Sequence, residues 1–99
     1  MSITIDHVVP LAEAHRSGSA SWAAERRLLF ANDLPGLRVI AGDVNSAKSD
    51  QDPAQWLPEG AAVCWYATVW TDIKTTWQLS IDLAERDALE QILAGCLWK

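Results

Sequence analysis

The chain has 99 residues, 49% of them hydrophobic, and a formal net charge of −5 with a pI near 4.7. That length bounds it to one small domain, 1–99, with a real core, and that charge excludes a global field that draws nucleic acid to the whole surface. The longest apolar run, in GAAVCWYATVW, falls short of the about 18 residues a membrane span needs, and the N-terminus lacks the charged and apolar regions of a signal peptide, which argues against secretion of the chain as given.

SITIDHVV reads as a strand, because β-branched residues dominate it and Pro10 ends it. LAEAHRSG is one or two helical turns closed by Gly18. SASWAAERRLLFAND predicts a helix capped by Ser19 or Ser21, with Trp22, Leu28, Leu29 and Phe30 as its apolar positions and Asn32 at its end. LPG punctuates the chain, and LRVIAG is a second short strand. DVNSAKSD is a short helix with Asp43 as N-cap, and DPAQWLP places Pro53 at a helix N1 behind Asp52. From Ala61 to Trp77 the apolar positions Val63, Tyr66, Ala67, Trp70, Ile73 and Trp77 follow the three-and-four spacing of a long amphipathic helix. IDLAERDALEQILAGC opens on Asp82 with Glu85 three residues on, a capping box, and carries Leu89, Ile92, Leu93 and Cys96 as its buried stripe. The two C-terminal helices are expected to pack as an antiparallel pair, and the two strands to pair with the short helix across them.

Asp6 and His7 stand side by side on the first strand, so they point to opposite faces. Whichever face is buried sets a titratable group against oil, at a cost unless a partner or a metal satisfies it. A solvated strand end with a half-buried histidine is one reading, and a functional site is the other. Five of the six tryptophans fall in the second half, either as a helical scaffold or as a stacking platform for bases. Cys64 and Cys96 are either one disulfide or two buried thiols. Residues 1–50 hold six acids against five bases, and residues 51–99 hold seven against three, so an anionic substrate meets the first half.

DHVVPL, followed some forty residues later by NSAKSD, resembles the HNH or ββα-metal nuclease superfamily. The nearest resemblance is to the HNH-type domain of actinobacterial proteins and of the C-terminus of GmrSD-type restriction enzymes. It continues through PLAEAHRSG, FANDL, KSDQDPAQWLP, CWYATVW and ERDALEQIL, nearly the whole chain. The resemblance implies an α+β fold: a ββα-metal finger of two short strands and a short helix over residues 1–50, buttressed by a helical pair over 51–99. It implies Asp6 and Asn45 as metal ligands, His7 as general base, and Lys48 as a basic residue near substrate phosphate. Arg38, with Arg26 and Arg27, is a candidate for the nucleic-acid backbone or else a solvated face. Asn32 and Asp50 are candidate supporting residues; many HNH proteins carry a middle asparagine near the start of the second strand, the region where this chain has Pro35 and Gly36, and relatives often read KGD where it has Lys48-Ser49-Asp50.

The chemistry agrees with these roles. Phosphodiester hydrolysis needs a nucleophile made from water, charge neutralisation on phosphate and help for the departing oxygen. An imidazole can take the proton near neutral pH. One Mg²⁺ or Mn²⁺ takes few protein oxygens and keeps several waters, and a carboxylate with an amide supplies such a sparse pair. The expected activity is endonucleolytic cleavage of DNA with little sequence specificity, since no recognition helix or zinc knuckle is present for base readout. The alternative is a non-catalytic nucleic-acid- or protein-interaction domain that keeps the fold.

Overall fold

The computed structural model describes residues 2–96; Trp98 and Lys99 lie outside them. Strand β1 (Ile3–His7) leads into α1 (Leu11–Arg16), a 3-10 turn at Ser19–Ser21, α2 (Ala24–Ala31) and a second 3-10 turn at Leu34–Gly36. There follow β2 (Leu37–Ala41), α3 (Gly42–Lys48), α4 (Ala62–Thr76) and α5 (Leu83–Ala94). The fold is a small α+β arrangement with one antiparallel pair of strands and several helices.

The strands pair in the register Ile3↔Ala41 to His7↔Leu37, which sets Asp6 opposite Arg38. Alternation then decides what each face carries. Ile3, Ile5 and Val39 share the outer face and are exposed, whereas Asp6 points inward and is buried. α3 packs on both strands directly after β2. Gly42 permits this closeness, because a Cβ there would meet the Ser2 hydroxyl.

The helical half follows its sequence pattern. Tyr66, Ala67, Trp70 and Ile73 of α4 are buried with Leu89 of α5, Val8 and Val9 after β1, Ala14 and Phe30. Asp82 accepts from the Glu85 backbone N–H while the Glu85 side chain accepts from the Asp82 N–H, so the capping box is complete. A disulfide joins Cys64 in the first turn of α4 to Cys96 just beyond α5, so the two helices run antiparallel. Closing that 32-residue separation stabilises the fold by about 3–4 kcal/mol on the loop-entropy argument.

Four local expectations are corrected. The helix expected from Ser19 breaks at Trp22 and Ala23, which are extended, and neither serine caps α2. Trp22 leaves the helical path to set its ring 5.8 Å from both Phe30 and Trp77. Leu28 and Leu29, expected inside, are exposed, and Phe30 is the buried residue of α2. α3 begins at Gly42 with Ala41 as its N-cap, and Asp43 sits in the first turn, where its carboxylate accepts from the Val44 N–H. No helix follows Pro53. Asp52 accepts from the Ala54 N–H and closes a single turn, and Pro58 disfavours continuation at Leu57.

Of the tryptophans, Trp70 is fully buried and Trp22, Trp56 and Trp77 pack against the core, as a scaffold requires. Trp65 is 41% exposed, with the Arg38 guanidinium over its ring.

Candidate active site

Val8 and Val9, both buried, fix the end of β1 in the core, and the alternation just before them separates Asp6 from His7. Asp6 faces α3. Asn45 and Lys48 are three residues apart on that short helix, so both present to β1. Asn45 Nδ2 donates to Thr4 Oγ1 at 3.0 Å, and Thr4 Oγ1 turns its own proton to Ile40 O at 3.5 Å. That assignment leaves the Asn45 amide oxygen without a hydrogen-bond duty among the described residues.

Lys48 is 1% exposed. Its ammonium donates to Asp6 Oδ1 at 2.9 Å and to His7 O at 2.8 Å, so one buried cation braces both site residues of β1. Burial lowers the Lys48 pKa, and the hydrogen bond to Asp6 with its charge opposes the shift. Lys48, expected near substrate phosphate, therefore spends its charge inside the protein.

His7 is half-buried, and its Nε2 lies 2.8 Å from Ala31 O. A carbonyl can only accept, so Nε2 carries the proton and Nδ1 keeps the lone pair. The carbonyls of a helix's last turn have no intrahelical partner, and Ala31 at the end of α2 offers one of these to the ring. Asn32 does end α2, as expected: it is the C-cap, and its Nδ2 donates to Leu28 O at 2.9 Å.

Asp6, His7 and Asn45 line one open depression of about 250 Å³, together with Pro10, Leu11 and Ser49. Lys48 is absent from its walls. It lines instead an apolar cavity of about 270 Å³ on the other side of Asp6, with Val8, Trp56, Trp65 and Tyr66. Asp6 thus stands between a buried cation and an open depression. Burial, with the charges of Asp6 and Asp52, raises the Tyr66 pKa, so its phenol stays neutral.

The remaining candidates lie elsewhere. Arg38 donates to Leu37 O and holds its guanidinium 4.6 Å from the Trp65 ring, on the apolar-cavity side. Asp50 is exposed and pairs with Arg16 at 2.9 Å, which holds its carboxyl below the usual carboxylate range. Arg26 sets its guanidinium over both the Trp22 and the Trp77 rings, which themselves pack together.

A second acidic group sits away from the depression. Oxygens of Asp52, Asp82 and Glu85 lie within 4.8 Å of one another. All three already have duties: Asp82 and Glu85 form the capping box, Asp52 closes its turn, and Glu85 also accepts from Trp70 Nε1 and faces Lys74 at 2.8 Å. Lys74 reaches Glu13 Oε2 at 2.7 Å, so a buried ion triad ties α1, α4 and α5 together.

Sequence reasoning missed the Ala31 carbonyl, Thr4 and the inward direction of Lys48. The backbone acceptor leaves no mark in a sequence. The shared face of Asn45 and Lys48 was legible from their spacing.

Residues 1–92 match the family described as GmrSD restriction endonucleases, C-terminal domain. The chain belongs to that family. It is also 43% identical over 97 residues to an uncharacterized secreted protein of Arthroderma benhamiae, an alignment covering 95% of this chain and 48% of the relative. The chain thus spans about half the length of that relative. No solved structure matches. Membership in the GmrSD C-terminal family associates the chain with nucleases. Among the described residues, no helix is long and apolar enough to cross a membrane.

Proposed function

We propose that this GmrSD C-terminal domain is a metal-dependent endonuclease that hydrolyses phosphodiester bonds in DNA with little sequence specificity. One observation carries the reading: Asp6 and His7 on β1 and Asn45 on α3, nearly forty residues away in sequence, line the same depression. In this reading the two strands and α3 act as a ββα-metal finger, and α4 with α5 is its buttress.

The donor chemistry fits one hard divalent cation, Mg²⁺ or Mn²⁺. Asp6 has a second carboxylate oxygen beyond the one that takes Lys48, and Asn45 has its amide oxygen. When bound there, the ion supplies positive charge against phosphate and the departing oxygen. His7 takes a proton from water at Nδ1 as the water oxygen bonds to phosphorus and the bond to the leaving sugar oxygen breaks, that oxygen taking its proton from solvent. The Ala31 carbonyl holds the ring in this tautomer and steadies the imidazolium by accepting from Nε2–H. Lys48 serves as a positioning residue that orients Asp6.

The disulfide suits an oxidising compartment. The word "secreted" in the relative's name supports the same setting.

A supercoiled plasmid tests the reading. Incubated with the protein and Mg²⁺ or Mn²⁺ it is converted to nicked and linear forms, and EDTA stops the conversion. Cutting that EDTA leaves untouched removes the metal from the mechanism.

A non-catalytic interaction domain has one specific observation in its favour. Lys48 already neutralises Asp6, so the carboxylate does not require an ion to be satisfied. Isothermal titration with Mn²⁺ separates the two readings, since only the nuclease binds the ion.

A further inference from the structure

Most cations among the described residues already face a partner within the chain, buried for Lys48 and Lys74 and on the surface for Arg16 and Arg86. Among the described residues, Arg16, Lys48, Lys74 and Arg86 pair with carboxylates, and Arg26 and Arg38 lie on tryptophan rings. Arg27 differs. It is exposed, and its hydrogen bond is a long one of 3.4 Å to Ala20 O.

Arg27 lines an open groove of about 390 Å³ between α1 and α2. Leu11, Ala14 and His15 form one wall at helical spacing, and Ala24, Arg27, Leu28 and Ala31 form the other. The groove adjoins the His7 depression at two points. Leu11 lines both, and Ala31, whose carbonyl receives His7 Nε2, belongs to the groove wall.

We propose that this groove seats the sugar–phosphate backbone of the nucleic acid beside the scissile phosphodiester, with Arg27 and His15 meeting phosphate oxygens. The inference rests on reading the His7 depression as the hydrolytic centre. Charge complementarity selects the occupant. In a chain of net charge −5, an unpaired guanidinium beside the depression is where a phosphate backbone finds an uncompensated cation. The apolar walls between the two basic side chains suit the sugar edges. Contacts of this kind position a strand without reading its bases, which agrees with the low sequence specificity proposed for the cleavage.

The test uses a fluorescently labelled duplex of mixed sequence, titrated by anisotropy in EDTA so that binding is read without cleavage, and repeated across salt concentrations. Arg27→Gln weakens binding about tenfold at low salt and lowers the slope of log K against log salt by about one. Arg27→Lys restores the slope, and His15→Gln gives a smaller loss. In Mg²⁺, Arg27→Gln raises KM and leaves kcat near wild type, as expected of a positioning residue. Arg27 is exposed, so thermal melts of the variants stay at the wild-type midpoint.

A wild type that binds and cuts, beside an Arg27→Gln variant with unchanged affinity and salt slope, overturns the groove assignment and leaves the nuclease reading standing. Binding that depends on Arg27 without cleavage in any divalent metal does the reverse.

Discussion

The Lys48 ammonium lies 2.9 Å from Asp6 Oδ1, and both groups are buried. A lysine with about one hundredth of its surface exposed is unusual unless it is paired, and here it supports the carboxylate beside the depression. Removing one partner of a buried pair leaves the other charge uncompensated, at about 3–5 kcal/mol. Lys48→Ala is therefore expected to lower unfolding stability by that amount, measured by urea denaturation. The double variant Asp6→Asn/Lys48→Met recovers most of the loss while abolishing cleavage. A single variant as stable as wild type contradicts the brace.

Ser49 follows α3 with φ 51° and ψ −139°, a region nearly reserved for glycine. Ser49→Gly is expected to stabilise the fold by about 1 kcal/mol, a gain of several degrees in a thermal melt for a chain of this size. An unchanged or lower midpoint excludes the strain.

Asp52 gives the stability profile a pH dependence. Burial raises its carboxyl above the ordinary 3.8, with Asp82 and Glu13 adding to the shift and the Ala54 N–H and Lys74 opposing it. The folded state holds this proton more tightly than the unfolded state. Its favourable contribution is full below pH 3.8 and is lost as pH rises through the folded value. Asp52→Asn cannot ionise, so it should melt above wild type at pH 7, with the gap closing in acid. A gap that widens in acid reverses the sign and sinks the assignment.

Thr4 holds the Asn45 amide through its hydroxyl. Thr4→Val keeps the volume and removes that acceptor. Losing a residue that orients a ligand typically costs 10–100-fold in metal affinity or activity, and a loss of that size in Mn²⁺ binding is expected by isothermal titration. Wild-type affinity in Thr4→Val means the amide oxygen needs no such support.

How far the sequence could be read depended on where each signal lay. β1 was visible in SITIDH because β-branched residues cluster there, and α5 because Asp82 and Glu85 carry the capping box in their side chains. α4 was visible as an apolar period, yet Lys74 within it reads as a surface charge and is buried between Glu13 and Glu85. Lys48 misleads in the same way. A cation's direction depends on a partner brought by a distant element, Asp6 for one and Glu13 for the other. Trp22 broke its helix through contacts with Phe30 and Trp77 that no local pattern announces. The Ala31 carbonyl at His7 is backbone, which any residue at that position supplies.

The comparison that bears most directly on the site is the single-turnover cleavage rate of plasmid DNA by wild type and by His7→Ala, both in Mg²⁺ and both shown to bind Mn²⁺ equally. His7 is half-buried and not a metal ligand in this account, so its loss should leave folding and ion binding intact while slowing cleavage by about 10²–10⁴-fold. Equal rates for the two proteins would show that water is activated elsewhere, and the hydrolytic role assigned to the His7 depression would fall.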